Sequence, residues 1–267
     1  MPHEIDDDVI DVQHHNTVAT IIVDKPETKN SLDIPTLGSL AAALNREMER
    51  DSTNVVVLAG AGDSFMSGAD IEIFHENEGT WWIREFRHAF SAVEDAIEDG
   101  RKPVIAAVDG FALGGGTEIA LMSDLIYTSE RAQMGLPEIG IGGIPGVGGT
   151  QRLAQVVGPL KAKEMIMTGD IVSGEEATEI GLANDVFTEE AFDDQITEVA
   201  EGLAERGPMA LWFAKEAINQ TREGLDKGLA LEAALASNLF QTDDFAEGAA
   251  AFLENREPDF SDWSDSS

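Results

Sequence analysis

Short apolar runs alternate with segments of helical periodicity along the first part of the chain. Val9 to Val12 and Val18 to Val23 predict two strands joined by a turn at His15-Asn16. Two further strands are indicated by NVVVLAG and VIAAV. PTLGSLAAALNREMERD and the segment Trp81 to Glu98 instead place apolar residues three and four positions apart, which is helical spacing. This alternation predicts parallel βαβ units and an α/β fold class.

The strand signals thin out after about residue 158, and the remaining periodicity is mainly helical. The helical segments run from Lys161 to Met167, Glu189 to Arg206, Met209 to Thr221 and Asp226 to Phe240. We expect residues 1–8 to form an acidic N-terminal extension, residues 9–195 an α/β core and residues 196–267 a helical C-terminal region. Such helices pack either on their own core or on a neighbouring subunit, and periodicity does not separate the two.

The charge balance narrows the classes of partner. The 267 residues include 17 basic and 51 acidic side chains, for a net charge of −34. Such a surface repels phosphate backbones and anionic membranes, so we expect no nucleic acid and no membrane as a partner. The acidic residues are spread along the whole chain, and their repulsion is screened in concentrated salt, where the Debye length is about 3 Å at 1 M. We interpret the charge as an adaptation that resembles that of halophilic microbes.

Three further features of the composition bear on stability and location. Apolar residues make up 43% of the chain, which is enough to build a substantial core. No apolar run reaches the ~18 residues of a membrane span, and MPHEIDDDVI is acidic where a signal peptide is basic, so we expect a cytoplasmic protein. The sequence contains no cysteine, which excludes disulfides and thiolate nucleophiles.

Two common classes of motif are missing from the sequence. There is no Gly-Lys dipeptide and hence no P-loop, and GIGGIPGVGGT departs from G-x-G-x-x-G because Pro145 occupies the last glycine position. The five histidines show no H-E-x-x-H spacing, and His88 lies on a predicted helix as a surface or core-edge residue. We therefore expect neither a nucleotide bound by these loops nor a metal.

The segment KPVIAAVDGFALGGGTEIALMSDLIYTS carries the first candidate chemistry. A buried strand leads through a loop into Gly114, Gly115 and Gly116, and a helix is predicted to start near Thr117 with Glu118 in its first turn. Glycines at a helix N-terminus leave backbone N–H groups bare, and the helix dipole adds partial positive charge, so the position suits a developing anion. The alternative is structural: the glycines permit tight packing, and Glu118 is an ordinary first-turn acid.

Two other loops add to this candidate site. Glu138 lies between Pro137 and Ile139 without an obvious partner four residues away, and acids in apolar settings have raised pKa values that suit proton donation. DSFMSGADI, from Asp63 to Ile71, follows the strand NVVVLAG and offers small residues that let a ligand approach the backbone. Each loop alone is also compatible with a turn or surface role, whereas three such loops after apolar strands indicate a site.

These segments resemble the enoyl-CoA hydratase (crotonase) family. The resemblance rests on SFMSGADI, KPVIAAVDGFALGGGTEIALMSDLIYTS, PEIGIGGIPGVGGTQRLAQVVG and TGDIVSGEEATEIGLAND, which occur in this order between about Val9 and Phe260. It implies a spiral of ββα units with a helical C-terminal trimerisation region. It also implies assembly as a homo-trimer or homo-hexamer.

The resemblance further implies a reaction and its residues. In the family, two backbone N–H groups form an oxyanion hole for the thioester carbonyl of an acyl-CoA, and the matching positions are Ala69 and Gly115. The two hydratase glutamates match Glu118 and Glu138, so the expected reaction is the addition of water to a trans-2-enoyl-CoA, giving a 3-hydroxyacyl-CoA. Coenzyme A is then part of the substrate, and no separate cofactor is expected. The substrate-binding residues implied are Ser67, Gly68, Ala69, Asp70, Ile71, Gly114, Gly115 and Gly146.

The chain departs from the family pattern on the coenzyme A side. Glu72 follows GADI where relatives often carry lysine, and ETKNSL replaces a smaller, more apolar loop. Lys25, Lys29 and Arg101 are candidate cations for the coenzyme A phosphates, although surface placement is the simpler interpretation. A chain of charge −34 is expected to bind a polyanion poorly at low salt and better when its charge is screened.

Several alternative functions remain at this point. Enoyl-CoA isomerases need mainly the position of Glu138, so the presence of Glu118 favours hydration, whereas naphthoate-synthase-like ring formation and branched-chain hydration share the same fold. A non-catalytic acyl-CoA-binding protein is disfavoured by the two acids. An RNA-binding relative is disfavoured by the missing basic patch.

Overall fold

The structure is a computed structural model, and it describes residues 9–70 and 80–260. The larger of two sheets contains β1 (Ile10–His15), β2 (Val18–Val23), β3 (Val55–Gly60), β5 (Val104–Val108), β7 (Leu125–Ser129) and β10 (Asp185–Phe187). These strands follow the order β1-β2-β3-β5-β7-β10. β1 and β2 are antiparallel, and all other neighbours in this sheet are parallel.

Four short strands form a second sheet. It contains β4 (Ser64–Met66), β6 (Phe111–Leu113), β8 (Gln133–Gly135) and β9 (Ile171–Ser173). The order is β4-β6-β8-β9, with parallel pairs except for the antiparallel pair of β8 and β9. β4, β6 and β8 directly follow β3, β5 and β7 of the large sheet, so the chain between β3 and β8 contributes strands to the two sheets alternately.

Ten α-helices of the described residues connect and cover these strands. They are α1 (Ile34–Glu49), α2 (Thr80–Glu98), α3 (Gly115–Met122), α4 (Gly149–Val156), α5 (Gly158–Thr168), α6 (Gly174–Glu179), α7 (Phe192–Ala204), α8 (Pro208–Asn219), α9 (Leu225–Leu239) and α10 (Asp243–Glu254). Short 3₁₀ helices span Pro26–Thr28, Pro137–Ile141 and Gln220–Glu223. No described helix is both long enough and apolar enough to cross a membrane.

The large sheet is covered on both faces, which explains its continuous apolar strands. Alternate residues of β3 point to opposite faces, so Val56 and Leu58 join the main core with α1 and α2, whereas Val55 and Val57 join a second cluster. Phe192, Ile196 and Ala200 of α7 complete this second cluster. The main core also includes Ile119 and Ala120 of α3, so the helix of the candidate site is anchored in it.

Most elements with regular apolar patterns are confirmed, with differences at short elements. β2 has the predicted bounds Val18–Val23, and α2 ends at Glu98 as predicted. The interpretation that strands thin out after residue 158 misses β9 and β10, which have three residues each and are too short for a periodic signal. α3 begins at Gly115, two residues before the predicted start. The acidic extension expected at residues 1–8 lies outside the described residues.

A buried lysine attaches α8 to the α/β core of the same chain. Lys215 of α8 forms an ion pair with Asp124 at 2.8 Å, and its Nζ also donates to the carbonyls of Ile97 at 2.5 Å and Lys102 at 3.1 Å. The Lys215 side chain is 5% exposed, and Asp124 in turn accepts a hydrogen bond from the Val104 amide. The helical region therefore packs on its own core at this point.

Replacing Lys215 by methionine should destabilise the protein because it leaves the buried Asp124 carboxylate without its cation. We expect the free energy of unfolding of K215M to fall by about 3–5 kcal/mol, measured by urea denaturation. The exposed Lys163 of α5 provides the matched control, and K163M should stay within about 0.5 kcal/mol of the wild type. Equal stabilities for the two variants would contradict this account of α8.

Candidate active site

The candidate site is built where β6 passes into α3. The turn uses Gly114, whose backbone has φ 51° and ψ −120°, a conformation that favours glycine. A Cβ atom on Gly116 would lie 1.9 Å from the carbonyl oxygen of Met66, so only glycine lets α3 start this close to β4. The buried Thr117 hydroxyl bonds to the carbonyls of Ala112 and Gly135, which ties the helix start to β6 and β8.

Two backbone amide groups meet at this turn. Ala69 forms a parallel bridge with Leu32, in which the Leu32 amide donates to Gly68 at 2.8 Å and the Asp70 amide donates to Leu32 at 3.0 Å. The amide of Ala69 consequently faces the other side of the strand. A Cβ atom on Gly115 would lie 3.6 Å from the Ala69 nitrogen, so the two amides are neighbours. Gly115 is the first residue of α3, and such an amide has no acceptor within its helix.

Glu118 is buried in the first turn of α3, with 3% of its surface exposed. Its Oε1 accepts hydrogen bonds from the amides of Val147 at 3.0 Å and Gly149 at 2.8 Å. Burial raises the pKa of Glu118 above its ordinary value, and the two amides and the charge of Arg152 act in the opposite direction. Both hydrogen bonds use the same oxygen, so Oε2 is the oxygen available to a water molecule.

Glu138 lies on the 3₁₀ helix Pro137–Ile141, a short helix where the sequence suggested only a loop. A Cβ atom on Gly114 would lie 3.3 Å from its Oε1, so this carboxyl reaches the same turn as Glu118. Its Oε2 is buried and has no hydrogen-bond partner within the described part of the chain. Burial and, to a smaller extent, the charge of Glu118 raise the pKa of Glu138 to about 7. Glu138 is therefore poised to hold a proton near neutral pH.

Two of the other expected binding residues, Ser67 and Gly146, lie among the described residues near this turn. The Ser67 amide donates to the Lys29 carbonyl at 3.0 Å, and the Ser67 hydroxyl donates to the Thr28 carbonyl at 3.3 Å. Gly146 lines an open cleft of about 380 Å³ together with Phe90 and Val147. This cleft adjoins the candidate site because Phe90 also packs against Gly115. Ile71 and the departure at Glu72 lie outside the described residues.

The three candidate cations for coenzyme A all have partners within the chain. Lys25 is not the surface residue that the simpler interpretation suggested, because its side chain is 13% exposed and its Nζ bonds Asp33 at 2.9 Å. Lys29 lies over the Phe111 ring at 4.5 Å, and Arg101 lies over the Trp212 ring at 4.6 Å. Any of these cations would have to leave or share its partner to reach a phosphate.

Sequence reasoning missed the turn from Val147 to Gly149, which holds Glu118, and the buried Arg152 behind it. The glycine pair Gly148-Gly149 was the available signal, since Gly148 has φ 113° and a Cβ on Gly149 would lie 2.9 Å from Glu118 Oε1. Nothing in the local sequence shows that an arginine of α4 is buried. Among the described residues, no group of three or more histidine, cysteine or acidic side chains could hold a metal ion.

Two neighbouring amides and two acids with raised pKa values therefore surround one glycine-rich turn. A profile of the enoyl-CoA hydratase/isomerase family matches residues 13–263. The chain belongs to this family. Solved structures of enoyl-CoA hydratases that match this chain with a TM-score of 0.88 confirm the crotonase-like α/β fold with C-terminal helices expected from the resemblance.

Individual relatives support the same membership over nearly the whole length. The chain is 36% identical over 251 residues to a crotonyl-CoA hydratase of Syntrophomonas wolfei, covering 93% of this chain and 96% of that protein. It is 38% identical to the mitochondrial enoyl-CoA hydratase of Pongo abelii, covering 93% of this chain and 85% of the relative. The crystal structure of an enoyl-CoA hydratase from Bacillus anthracis has a TM-score of 0.88 at 37% identity and covers 95% of this chain and 99% of that one.

Proposed function

We propose that this chain is an enoyl-CoA hydratase that adds water to a trans-2-enoyl-CoA and produces a 3-hydroxyacyl-CoA. The observation that carries the proposal is the pair of acids around one turn. Glu118 has one oxygen held by two amides, whereas Glu138 has a buried oxygen without a partner and a pKa raised to about 7. One carboxylate that accepts a proton and one carboxyl that donates a proton are what hydration needs.

The neighbouring amides of Ala69 and Gly115 supply the oxyanion hole in this proposal. Both N–H groups donate to the thioester carbonyl oxygen, on which negative charge accumulates as water attacks C3 of the enoyl group. The dipole of α3 adds partial positive charge at the same end. Neither amide has to reorganise during the reaction, because each is fixed by backbone pairing nearby.

The two acids divide the transfer of one water molecule between them. Oε2 of Glu118 orients a water and takes one proton as its oxygen bonds to C3, while Glu138 donates its proton to C2. The products are a 3-hydroxyacyl-CoA, a protonated Glu118 and an ionised Glu138. A proton passing back through solvent from Glu118 to Glu138 restores the starting state, so no cofactor is consumed.

Oligomeric state and environment are further parts of the proposal. Large apolar side chains remain exposed on the C-terminal helices of the single chain, among them Leu225 at 75%, Phe252 at 83% and Leu253 at 79%. Surfaces of this kind are typical of subunit interfaces, and they support a homo-trimer or homo-hexamer. The net charge of −34 supports a halophilic enzyme that works at high salt, and we propose a cytoplasmic location for it.

Replacing either acid by its amide should abolish most turnover. We expect E118Q and E138Q each to lower kcat for the hydration of crotonyl-CoA about 10²- to 10³-fold, since each removes one proton-transfer group. The reaction is followed by the loss of enoyl-thioester absorbance in molar KCl. Exposed Glu190 provides the control, and E190Q should retain wild-type kcat; near-normal turnover in E118Q or E138Q would contradict the paired-acid mechanism.

The pH dependence of kcat/KM should be a bell that reports the acid pair. Hydration requires the pair to carry one proton, so activity falls at high pH as the last proton leaves, with an apparent pKa of about 7, the value for Glu138. Dehydration of the 3-hydroxyacyl-CoA requires the same single proton on the other acid, so its bell should coincide with that of hydration. A profile that stays flat across neutral pH would contradict this assignment.

Salt should strengthen both substrate binding and assembly. Lowering KCl from about 3 M to about 0.1 M lengthens the Debye length and exposes the charge of −34. We expect the KM for crotonyl-CoA to rise and the subunits to dissociate, as measured by initial rates and by sedimentation velocity. An assembly and a KM that are unchanged over this range would show that the acidic surface has no such role.

A further inference from the structure

Arg152 of α4 is a buried cation that the proposed mechanism does not use. It is 9% exposed, and its Nε and Nη2 donate to Glu98 Oε1 at 3.0 and 2.8 Å. Nη2 also donates to Glu94 Oε1, so two acids of α2 share the guanidinium. These bonds fix both the position and the orientation of the planar guanidinium group.

The same guanidinium lies against the turn that holds Glu118. Its Nη1 is 3.4 Å from the Val147 carbonyl oxygen, and a Cβ atom on Gly148 would lie only 1.7 Å from Nη1. The amides of Val147 and Gly149 in the same turn donate to Glu118 Oε1. The backbone from Val147 to Gly149 therefore contacts both the guanidinium and the carboxylate.

We propose that Arg152 is a positioning residue for Glu118, acting through the Val147–Gly149 turn to which both the guanidinium and the carboxylate are hydrogen-bonded. The proposal rests on the proposed role of Glu118 as the base. In this proposal Arg152 does not contact the reacting atoms. It fixes the positions of the Val147 and Gly149 amides, which donate to Glu118. A displaced turn would move Glu118 Oε1 and, with it, the oxygen that orients the water.

The charge of Arg152 supports the same role. Burial raises the pKa of Glu118, whereas the amides of Gly149 and Val147 and the charge of Arg152 lower it. Two acids of α2, Glu94 and Glu98, face Arg152 and form ion pairs with it. Removing the guanidinium takes away one of the influences that lower the pKa, so the pKa of Glu118 should rise.

Arg222 provides a matched control for the contacts of Arg152. Its Nη1 donates to Oε2 of the same Glu98, so it is a second cation on one shared carboxylate. None of its hydrogen bonds within the described residues reaches the Val147–Gly149 turn. Replacing Arg222 therefore removes a contact with Glu98 of α2 but leaves the hydrogen bonds between Arg152, the Val147–Gly149 turn and Glu118 in place.

The experiment compares R152M, R152K and R222M by kcat, KM and the pH profile of kcat/KM for crotonyl-CoA. R152M should lower kcat about 10- to 100-fold with little change in KM, and it should move the acidic limb of the bell to higher pH. R152K retains a charge but not the planar fork, so it should keep the acidic limb near the wild-type position while losing part of kcat. R222M should keep kcat within about twofold of the wild type, and the acidic limb of its pH profile should stay at the wild-type position.

A second readout separates this proposal from the proposed function. The ionisation of Glu118 is followed by infrared difference spectroscopy against E118Q, a measurement that needs no turnover. R152M should raise the pH midpoint of this ionisation. An unmoved midpoint, or an equal shift in R222M, would overturn the positioning role even if hydration is confirmed. If R152M does not fold because Glu98 loses a partner, R152K decides: wild-type kcat in R152K would overturn the proposal. Absence of hydration in the wild type would instead overturn the proposed function, and the infrared midpoints would still show whether Arg152 sets the ionisation of Glu118.

Discussion

The candidate site depends on how closely the first turn of α3 packs against the end of β4. Only the missing side chain of Gly116 allows this approach, since a Cβ there would meet the Met66 carbonyl at 1.9 Å. The approach brings the bare amide of Gly115 beside the amide of Ala69, and it carries Glu118 into the core one turn later. Backbone sterics thus decide where hydrogen-bond donors and an acid can meet.

Burial then gives the two acids different properties. Glu118 would be costly to ionise in the core, but two amides of the turn from Val147 to Gly149 solvate one of its oxygens, and a nearby guanidinium opposes its raised pKa. Glu138 lacks such donors at its buried oxygen, so it retains a proton up to about pH 7. The proposed division of roles follows from this difference in hydrogen-bond donors and burial and not from the carboxyls themselves.

The parts of the fold with regular apolar patterns could be predicted from the sequence, as the bounds of Val18–Val23 show. The three-residue strands of the second sheet could not, because hydrogen bonding to neighbours defines them and no periodicity does. Glu118 and Glu138 could be selected because glycine and proline neighbours set them apart from a solvated helical face. Arg152 could not, because its partners on α2 are more than 50 residues away and only the fold brings them together.

In the proposed mechanism, two amides and two acids that meet at the start of α3 surround a single thioester. A crystal structure of the protein with an unreactive acyl-CoA tests this arrangement most directly. The account predicts that the thioester oxygen lies about 3 Å from the amide nitrogens of both Ala69 and Gly115, with C2 facing Glu138 and C3 facing Glu118. A thioester bound elsewhere, or one that leaves either acid out of reach of its carbon, would contradict the account.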